Sequence, residues 1–510
     1  MIPAFKAALA AAIAAAALAA CGGSDDAASA PTTTLTGVAA TGRAMSGAAI
    51  TVYDAGGTTR SAQADAAGRY SVDAQGLVPP LLVLASQPNV THTLQLAALV
   101  ATHSPGASTR ANVNQLTDRI ASEVAVDNGF KGVPALLAQG RTAGITATQI
   151  QAATDKTRAL VLDALKAAGV AGAETLDPTG VEMAVGDKFA QVLDLLRSNR
   201  GYDSSSGSLT TTELFDQQYR PLASGHTLQW EPPLAAYAGT TLFVVGDSTA
   251  SNYESKVAPR EGWGQRFHEQ LAAAAPARVI NVAQSGRSSR SFINEGWYQQ
   301  VKQGLKAGDY LFIQFGHNDE KCGGSNPPVP RDEVDVANLC TYPGTEPGIE
   351  AVSAGRPGQE YSFRKSLKKY VDLARAAGAT PVLLTPVTRR PSSGLFKASH
   401  VTSKGAYPGD YSAAVKAVAA EHDVAVLDID ATSIAFFNAL PDVASDPLKY
   451  YLAVREQDYP YYTPTTTGNI AKPDNTHFQT LGAQTLAGWV AEGVKASSRA
   501  DLAPLKALLK

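Results

Sequence analysis

Three residue types that together can carry out acyl transfer lie in two short segments of the chain. Residues 246–249 are Gly-Asp-Ser-Thr, and residues 474–477 are Asp-Asn-Thr-His. Acyl transfer near neutral pH needs a hydroxyl nucleophile, a base that takes its proton and a carboxylate that orients the base. We expect Ser248, His477 and Asp474 to fill these three roles. Taken alone, a serine in a Gly-Asp-Ser turn is more often a helix cap or a turn residue, so the assignment depends on the rest of the chain.

Donors for the negative charge that develops on the carbonyl oxygen come from two further segments. Residues 316–319 are Gly-His-Asn-Asp, and Gly286 lies in the polar run after an apolar segment. Asn318 offers a side-chain amide, whereas Gly286 allows a close backbone approach because it has no Cβ. We expect an oxyanion hole made of these two donors and the backbone N–H of Ser248. His317 is expected to be structural rather than a second base.

Strands and helices alternate along the second half of the chain, and this alternation positions the candidate residues. Apolar runs predict strands at 242–245, 279–282, 310–315, 381–384 and 424–429. Helical patterns predict helices at 263–275, 362–377, 411–421 and 481–494. Short apolar strands between helices are typical of a parallel sheet covered on both faces, so we predict an α/β/α three-layer domain with a five-stranded parallel sheet. Ser248, Gly286 and Asn318 then meet at the carboxyl edge of that sheet, where ligands bind.

At these residues the chain resembles a known family. Segments 246–249, 286–292, 314–319 and 474–478 resemble, in order, the sequence blocks of the SGNH/GDSL hydrolase superfamily. Thr249 in place of leucine, the whole run 286–292, and the segments 262–265 and 385–390 are similar to the rhamnogalacturonan acetylesterase family. The resemblance implies a Ser-His-Asp serine esterase, with no metal and no cofactor, that removes O-acetyl groups from a pectin-type polysaccharide through an acyl-enzyme.

Two groups of side chains are candidates for binding the acetylated polysaccharide. Arginines could meet galacturonate carboxylates, and the candidates are Arg287, Arg290, Arg389 and Arg390. Internal ion pairs are the alternative for these arginines. Tyrosines could stack on sugar faces, and the candidates are Tyr461 and Tyr462, for which plain packing is the alternative.

Two other functions stay open at this point. The same residues support a lipase-like or thioesterase activity on other acyl esters. A non-catalytic surface glycan-binding protein that merely retains the hydrolase fold is the second alternative, although the complete set of candidate catalytic residues argues against it.

The first residues predict export and a lipid anchor. Residues 1–20 contain one charge, Lys6, and a short apolar run that suits a signal peptide. The segment ends Leu-Ala-Ala-Cys, which resembles a bacterial lipobox and implies lipidation of Cys21; an ordinary export signal is the alternative. Residues 21–34 are then a flexible tether. We therefore expect a protein attached to the bacterial cell envelope, at the outer membrane or cell surface, that meets the membrane through its lipid anchor only.

Composition and patterning divide the rest of the chain. The 510 residues carry a net charge of −3 without a basic stripe, so no nucleic-acid partner is expected.

We predict a β-sandwich at 35–100, a helical module at 101–225, a linker at 226–237 and the hydrolase at 238–510. The sandwich resembles carboxypeptidase-regulatory-like (transthyretin-like) modules through its turns, such as Asp-Ala-Ala-Gly-Arg-Tyr at 65–70. In the helical module, an apolar stripe at 181–196 predicts one helix, and Thr210 with Glu213 predicts the start of another.

A Gly/Pro-rich insertion between Asp319 and Tyr361 follows the candidate oxyanion residue Asn318 and is expected to overhang the site. It contains Cys322 and Cys340. In an oxidising envelope these two cysteines could form a disulfide, and two unpaired surface thiols are the alternative.

Overall fold

The computed structural model describes residues 32–88, 93–130, 132–203, 208–222, 226–230, 237–294, 297–321, 339–343, 362–402 and 409–510. The predicted export signal, most of the tether, Cys21, Cys322 and most of the Gly/Pro-rich insertion lie outside these ranges. Within the described ranges, no helix is both long and apolar enough to cross a membrane.

The first part of the chain folds into two sheets that enclose a core. Its strands are β1 (Thr34–Val38), β2 (Ala49–Tyr53), β3 (Thr59–Gln63), β4 (Arg69–Asp73), β5 (Leu81–Pro88), β6 (Thr93–Val100) and β7 (Ser108–Arg110). One sheet has the order β4-β1-β7 and the other β3-β2-β5-β6. Alternate residues point inward, and Leu35, Val52 and Val83 are buried in the shared core. Because β7 pairs with β1, the predicted end of the sandwich at residue 100 is wrong, and the sheet continues to Arg110.

The next segment is helical. Its helices are α1 (Gln115–Asp127), α2 (Gly132–Gln139), α3 (Ala147–Ala159), α4 (Leu162–Ala167) and α5 (Lys188–Leu195). The side chains of Thr146 and Gln149 each accept a hydrogen bond from the other's backbone N–H, which caps the start of α3. The predicted stripe at 181–196 is only partly helical, because Asp187 caps α5 and the preceding residues form turns.

An antiparallel hairpin, β8 (Arg197–Asp203) and β9 (Ser208–Phe215), follows the helices. The prediction of a helix from Thr210 is therefore wrong, since three successive β-branched threonines favour a strand. The Phe215 ring packs edge to face on Trp297 of the C-terminal domain, with centroids 5.1 Å apart. The Thr212 hydroxyl donates to the Asp118 carboxylate on α1 at 2.8 Å. The hairpin thus connects the helices to the C-terminal domain. The predicted helical module at 101–225 is therefore wrong at its C-terminal end, where the chain forms strands.

Part of the predicted linker is packed rather than exposed. Within the described residues 226–230, Leu228 is buried among the apolar side chains of the helical segment. Its backbone N–H donates to the Leu160 carbonyl oxygen at 2.8 Å. The predicted linker therefore begins as an extension of the helical segment.

The C-terminal part is built on a parallel sheet, as predicted. Its strands are β10 (Thr240–Gly246), β11 (Arg260–Glu261), β12 (Ala277–Asn281), β13 (Tyr310–Gln314), β14 (Thr380–Leu384), β15 (Val401–Thr402), β16 (Gly409–Asp410), β17 (Ala425–Leu427) and β18 (Phe478–Gln479). The five-stranded sheet has the order β12-β10-β13-β14-β17, and each neighbouring pair is parallel. The loops after β10 and β13 flank the point where the strand order changes direction, which is where open parallel sheets bind ligands.

Helices cover both faces of this sheet. They are α6 (Trp263–Arg266), α7 (Ser289–Asn294), α8 (Trp297–Gly304), α9 (Phe363–Ala376), α10 (Tyr411–Glu421), α11 (Ile429–Asn438), α12 (Thr480–Ala496) and α13 (Ala503–Lys506). Trp297 and Leu367 belong to the core on one face, and Trp263 and Leu486 to the core on the other. The predicted helix at 263–275 is too long, because α6 changes to a 3-10 turn that ends at Gln270.

Candidate active site

Ser248 lies in the turn that follows β10. Gly246 ends the strand, and a Cβ there would lie 2.6 Å from the carbonyl oxygen of Gln314 on β13. The buried carboxylate of Asp247 accepts hydrogen bonds from the Thr249 N–H at 3.0 Å and from the Thr249 hydroxyl at 2.8 Å. Asp247 therefore fixes the turn and holds Ser248 at the carboxyl edge of the sheet.

Ser248, His477 and Asp474 form one hydrogen-bonded chain. His477 Nε2 lies 3.0 Å from Ser248 Oγ, and His477 Nδ1 lies 2.7 Å from Asp474 Oδ2. The other oxygen of Asp474 accepts the backbone N–H groups of Thr476 at 2.7 Å and His477 at 3.0 Å. Because the Asp474 carboxylate accepts a hydrogen bond from Nδ1–H, Nε2 is left to accept a hydrogen bond from the serine hydroxyl. A hydroxyl, an imidazole and a carboxylate in this order can perform nucleophilic acyl transfer.

The charges around these residues favour a neutral imidazole. Burial and the positive charge of Arg260 lower the pKa of His477 to about 4, against the opposite effect of Asp474. Burial alone would raise the pKa of Asp474, but the hydrogen bonds from His477 and from the Thr476 N–H hold it below its ordinary value. Near pH 7, Asp474 is therefore ionised and His477 is neutral, which is the state in which it can accept a proton.

The expected oxyanion donors lie in the loops after β10, β12 and β13. The backbone N–H groups of Ser248 and Gly286 have no hydrogen-bond acceptor among the described residues. Gly286 has a φ of 81°, a left-handed conformation that glycine adopts readily. Asn318 Nδ2 donates to the Arg287 carbonyl oxygen at 3.1 Å, so one amide hydrogen holds the neighbouring loop and the second remains for a ligand. These groups have the chemistry that an oxyanion hole requires.

His317 connects the loop after β13 to the serine turn. It is buried, its Nδ1 lies 3.1 Å from Asp247 Oδ2, and its backbone N–H donates to the same oxygen at 3.3 Å. Its ring packs edge to face on His400, with centroids 4.4 Å apart. These contacts agree with the structural role expected for His317.

Sequence reasoning missed Tyr253 and Arg260, which adjoin the proposed nucleophile and base. β11 pairs with β18, which begins directly after His477, and Arg260 lies opposite Gln479. The Tyr253 hydroxyl donates to the Ser248 carbonyl oxygen at 2.7 Å, and Arg260 Nη2 donates to the Tyr253 hydroxyl at 3.1 Å. A two-residue strand has no periodic signal, so this pairing could not be predicted.

The predicted arginines differ in what they can reach. Arg287 and Arg290 are 5% and 1% exposed. Arg389 is paired with Glu320, with Nε and Oε1 3.0 Å apart. Arg390 is partly exposed and has no ion-pair partner among the described residues. Burial and pairing favour internal roles for the first three, and Arg390 stays a candidate for substrate binding.

The two predicted tyrosines have different environments. Tyr462 is 1% exposed, and its hydroxyl donates to the Val257 carbonyl oxygen at 2.6 Å. The Tyr461 ring packs against it edge to face at 5.1 Å and is 51% exposed. Packing explains Tyr462, whereas Tyr461 is open to a sugar ring.

The described end of the insertion lies beside the candidate site. The Thr341 N–H donates to the Asp319 carbonyl oxygen at 3.0 Å, so this segment adjoins the loop that carries Asn318. Cys340 is buried and disulfide-bonded. Because Cys322 lies outside the described residues, its pairing with Cys340 stays a prediction.

Comparisons with known proteins place the C-terminal part in a family. Residues 244–482 match the GDSL-like lipase/acylhydrolase family. The rhamnogalacturonan acetylesterase RhgT of Bacillus subtilis is 33% identical over 255 residues, which are 50% of this chain and 89% of that protein. The probable rhamnogalacturonan acetylesterase YesY of the same organism is 31% identical over 254 residues, which are 50% of this chain and 92% of that protein.

Among solved structures, Axe2, an acetylxylan esterase from Geobacillus stearothermophilus, has 16% sequence identity and a TM-score of 0.31 over 52% of this chain and 100% of that chain. The sequence match to RhgT covers most of that protein, and the residues that match the family, 244–482, contain Ser248, Gly286, Asn318 and His477. The chain therefore belongs to the GDSL-like lipase/acylhydrolase family and is a carboxylic ester hydrolase.

Proposed function

We propose that the protein is a serine esterase that removes O-acetyl groups from a pectin-type polysaccharide of the rhamnogalacturonan class. The observation that carries the proposal is the hydrogen-bonded chain Ser248–His477–Asp474, with distances of 3.0 and 2.7 Å. The names of RhgT and YesY support the choice of substrate.

In the proposed reaction, Ser248 Oγ attacks the acetyl carbonyl carbon while His477 Nε2 takes the hydroxyl proton. The oxyanion that forms accepts hydrogen bonds from the N–H groups of Ser248 and Gly286 and from the Asn318 amide. The C–O bond to the sugar then breaks, and His477 gives the proton to the departing sugar oxygen. A water molecule attacks the acetyl-serine with His477 again as base, and acetate leaves with regeneration of the serine hydroxyl. Asp474 holds the imidazole and stabilises its charged form throughout.

The proposal is tested by acetate release from acetylated rhamnogalacturonan, with acetylated xylan and synthetic esters of increasing acyl length as comparisons. We expect the wild type to release acetate from rhamnogalacturonan and the Ser248→Ala variant to release none above the uncatalysed rate. Equal rates for the two proteins would overturn the mechanism. A preference of the wild type for long acyl chains would instead favour a lipase-like activity on other acyl esters.

We propose that the protein acts at the bacterial cell envelope, exported through residues 1–20 and anchored by lipid on Cys21. The lipobox-like Leu-Ala-Ala-Cys sequence supports this proposal. The Cys21→Ser variant should move from the membrane fraction to the soluble fraction when cells are fractionated. Retention of that variant in the membrane fraction would contradict a lipid anchor.

A further inference from the structure

Within the part of the chain that the structure describes, Arg260 is a cation that has no carboxylate partner, and it lies beside the candidate active site. Among the described residues no carboxylate lies within 4.0 Å of its guanidinium, whereas neighbouring Arg266 is paired with Glu261 and Glu269. Arg260 Nε is buried without a hydrogen-bond partner. Arg260 is partly exposed, and a bound anion would satisfy the Nε–H that the described residues leave without an acceptor.

Tyr253 holds the guanidinium in a defined place. The guanidinium carbon lies 4.5 Å from the centre of the Tyr253 ring, and Nη2 donates to the Tyr253 hydroxyl at 3.1 Å. That hydroxyl donates in turn to the Ser248 carbonyl oxygen at 2.7 Å. Nη1 makes no hydrogen bond within the described part of the chain. The planar guanidinium therefore keeps donors for an incoming carboxylate while its position is set by the backbone of the serine turn.

The positive charge of Arg260 acts on the pKa of the proposed base, His477, and on the pKa of Tyr462. After burial, it is the largest contribution that lowers the pKa of His477. Burial raises the pKa of Tyr462, and the charge of Arg260 acts in the opposite direction. Tyr461, the neighbour of Tyr462, is exposed and can stack on a sugar. An anion bound to Arg260 would thus lie close to an ester attacked by Ser248.

We propose that Arg260 binds a uronate carboxylate of the polysaccharide and so selects acetylated chains that contain uronic acid over neutral acetylated chains. This inference rests on the proposed function, because it assigns a specificity residue to the same acetyl ester hydrolysis. Arg260 takes part in binding and makes no covalent bond.

The experiment measures acetate release from acetylated pectic oligosaccharides with free carboxylates and from the same preparation after methyl esterification of those carboxylates. The proteins are the full-length wild type, Arg260→Gln and Arg260→Lys. Arg69→Gln on the β-sandwich, where the side chain is exposed, is the matched control for loss of one positive charge. The readout is the ratio of kcat/KM for the free and esterified substrates, with kcat and KM separated.

We expect the wild type and Arg69→Gln to prefer free carboxylates by about ten- to hundredfold, mainly through a lower KM. The ratio should fall to about one in Arg260→Gln and should be intermediate in Arg260→Lys, which keeps the charge without the planar donors. If Arg260 only supported Tyr253 and the serine turn, both substrates would lose activity equally and the ratio would not change.

A wild-type ratio near one, or an unchanged ratio in Arg260→Gln, would overturn the assignment of Arg260 while leaving the esterase proposal intact. Absence of acetate release from both substrates by the wild type would overturn the proposed function and this inference with it.

Discussion

Ser248 and His477 are 229 positions apart in the chain, yet Oγ of the serine and Nε2 of the histidine are separated by 3.0 Å. The serine follows the strand β10, and the histidine precedes the short strand β18. β18 is held by its antiparallel pairing with β11, so a two-residue strand contributes to the alignment of nucleophile and base.

Replacement of Asp474 by Asn should lower kcat by about 10⁴-fold. An amide cannot stabilise the charged imidazole, and it favours the wrong tautomer of His477. Steady-state kinetics on an acetyl ester measure this effect. Thermal unfolding of the variant serves as the control for folding, and a loss below about tenfold would show that Asp474 does not orient the base.

Replacement of Asn318 by Ala should lower kcat by about 10²–10³-fold with a smaller change in KM, because the amide acts on charge that develops in the transition state. The variant also loses the 3.1 Å hydrogen bond to the Arg287 carbonyl oxygen. Asn128→Ala, at the end of α1, is the matched control and should keep wild-type kinetics. An increase in KM with unchanged kcat would assign Asn318 to ground-state binding.

The acid limb of kcat/KM for a small neutral acetyl ester should report the pKa of His477, which is about 4. Activity falls as the pH drops through this value, because the protonated imidazole cannot accept the serine proton. The Arg260→Gln variant lacks the nearby positive charge that disfavours the charged imidazole of His477. The pKa of His477 should therefore rise, and the acid limb should move to higher pH. Asp474 and His317 also act on His477 and are unchanged in this variant. A limb that moves to lower pH, or does not move, would contradict the electrostatic effect of Arg260.

Replacement of Phe215 by Ala should destabilise the protein by about 3–5 kcal/mol. The Phe215 ring is buried against Trp297, and its removal leaves a cavity. Denaturant unfolding measures the free energy. Leu395→Ala is the control, since Leu395 is 65% exposed and its loss should change stability by less than about 0.5 kcal/mol. Equal effects of the two substitutions would show that the hairpin does not contribute to the core of the C-terminal domain.

The sequence predicted the parallel sheet well, because its strands are short apolar runs between clear helical patterns. The proximity of Ser248, Asp474 and His477 could also be predicted, since each follows or precedes a recognisable element in a motif of defined chemistry. Residues 210–212 show where local patterns mislead, because the Thr-to-Glu spacing imitates a helix cap inside a strand. That choice depends on tertiary contacts of the hairpin, which the local sequence does not contain.

The accessibility of the predicted arginines and tyrosines could not be inferred either. Arg290 and Tyr462 have the same residue types as Arg390 and Tyr461, but the first two are buried by the packing of distant segments. Arg260 could not be predicted from the sequence, because a missing neighbour leaves no local pattern. The role proposed for Arg260 rests on its contact with Tyr253 and on the absence of a carboxylate neighbour among the described residues, and such properties exist only in three dimensions.

Covalent labelling of the full-length protein with a fluorophosphonate, followed by peptide mass spectrometry, tests the central claim most directly. The probe reacts with a serine that a neighbouring base activates. We predict stoichiometric modification of Ser248, complete loss of esterase activity with labelling, and no labelling in Ser248→Ala or His477→Ala. An active enzyme in which Ser248 stays unmodified, or modification of a different serine together with loss of activity, would contradict the account.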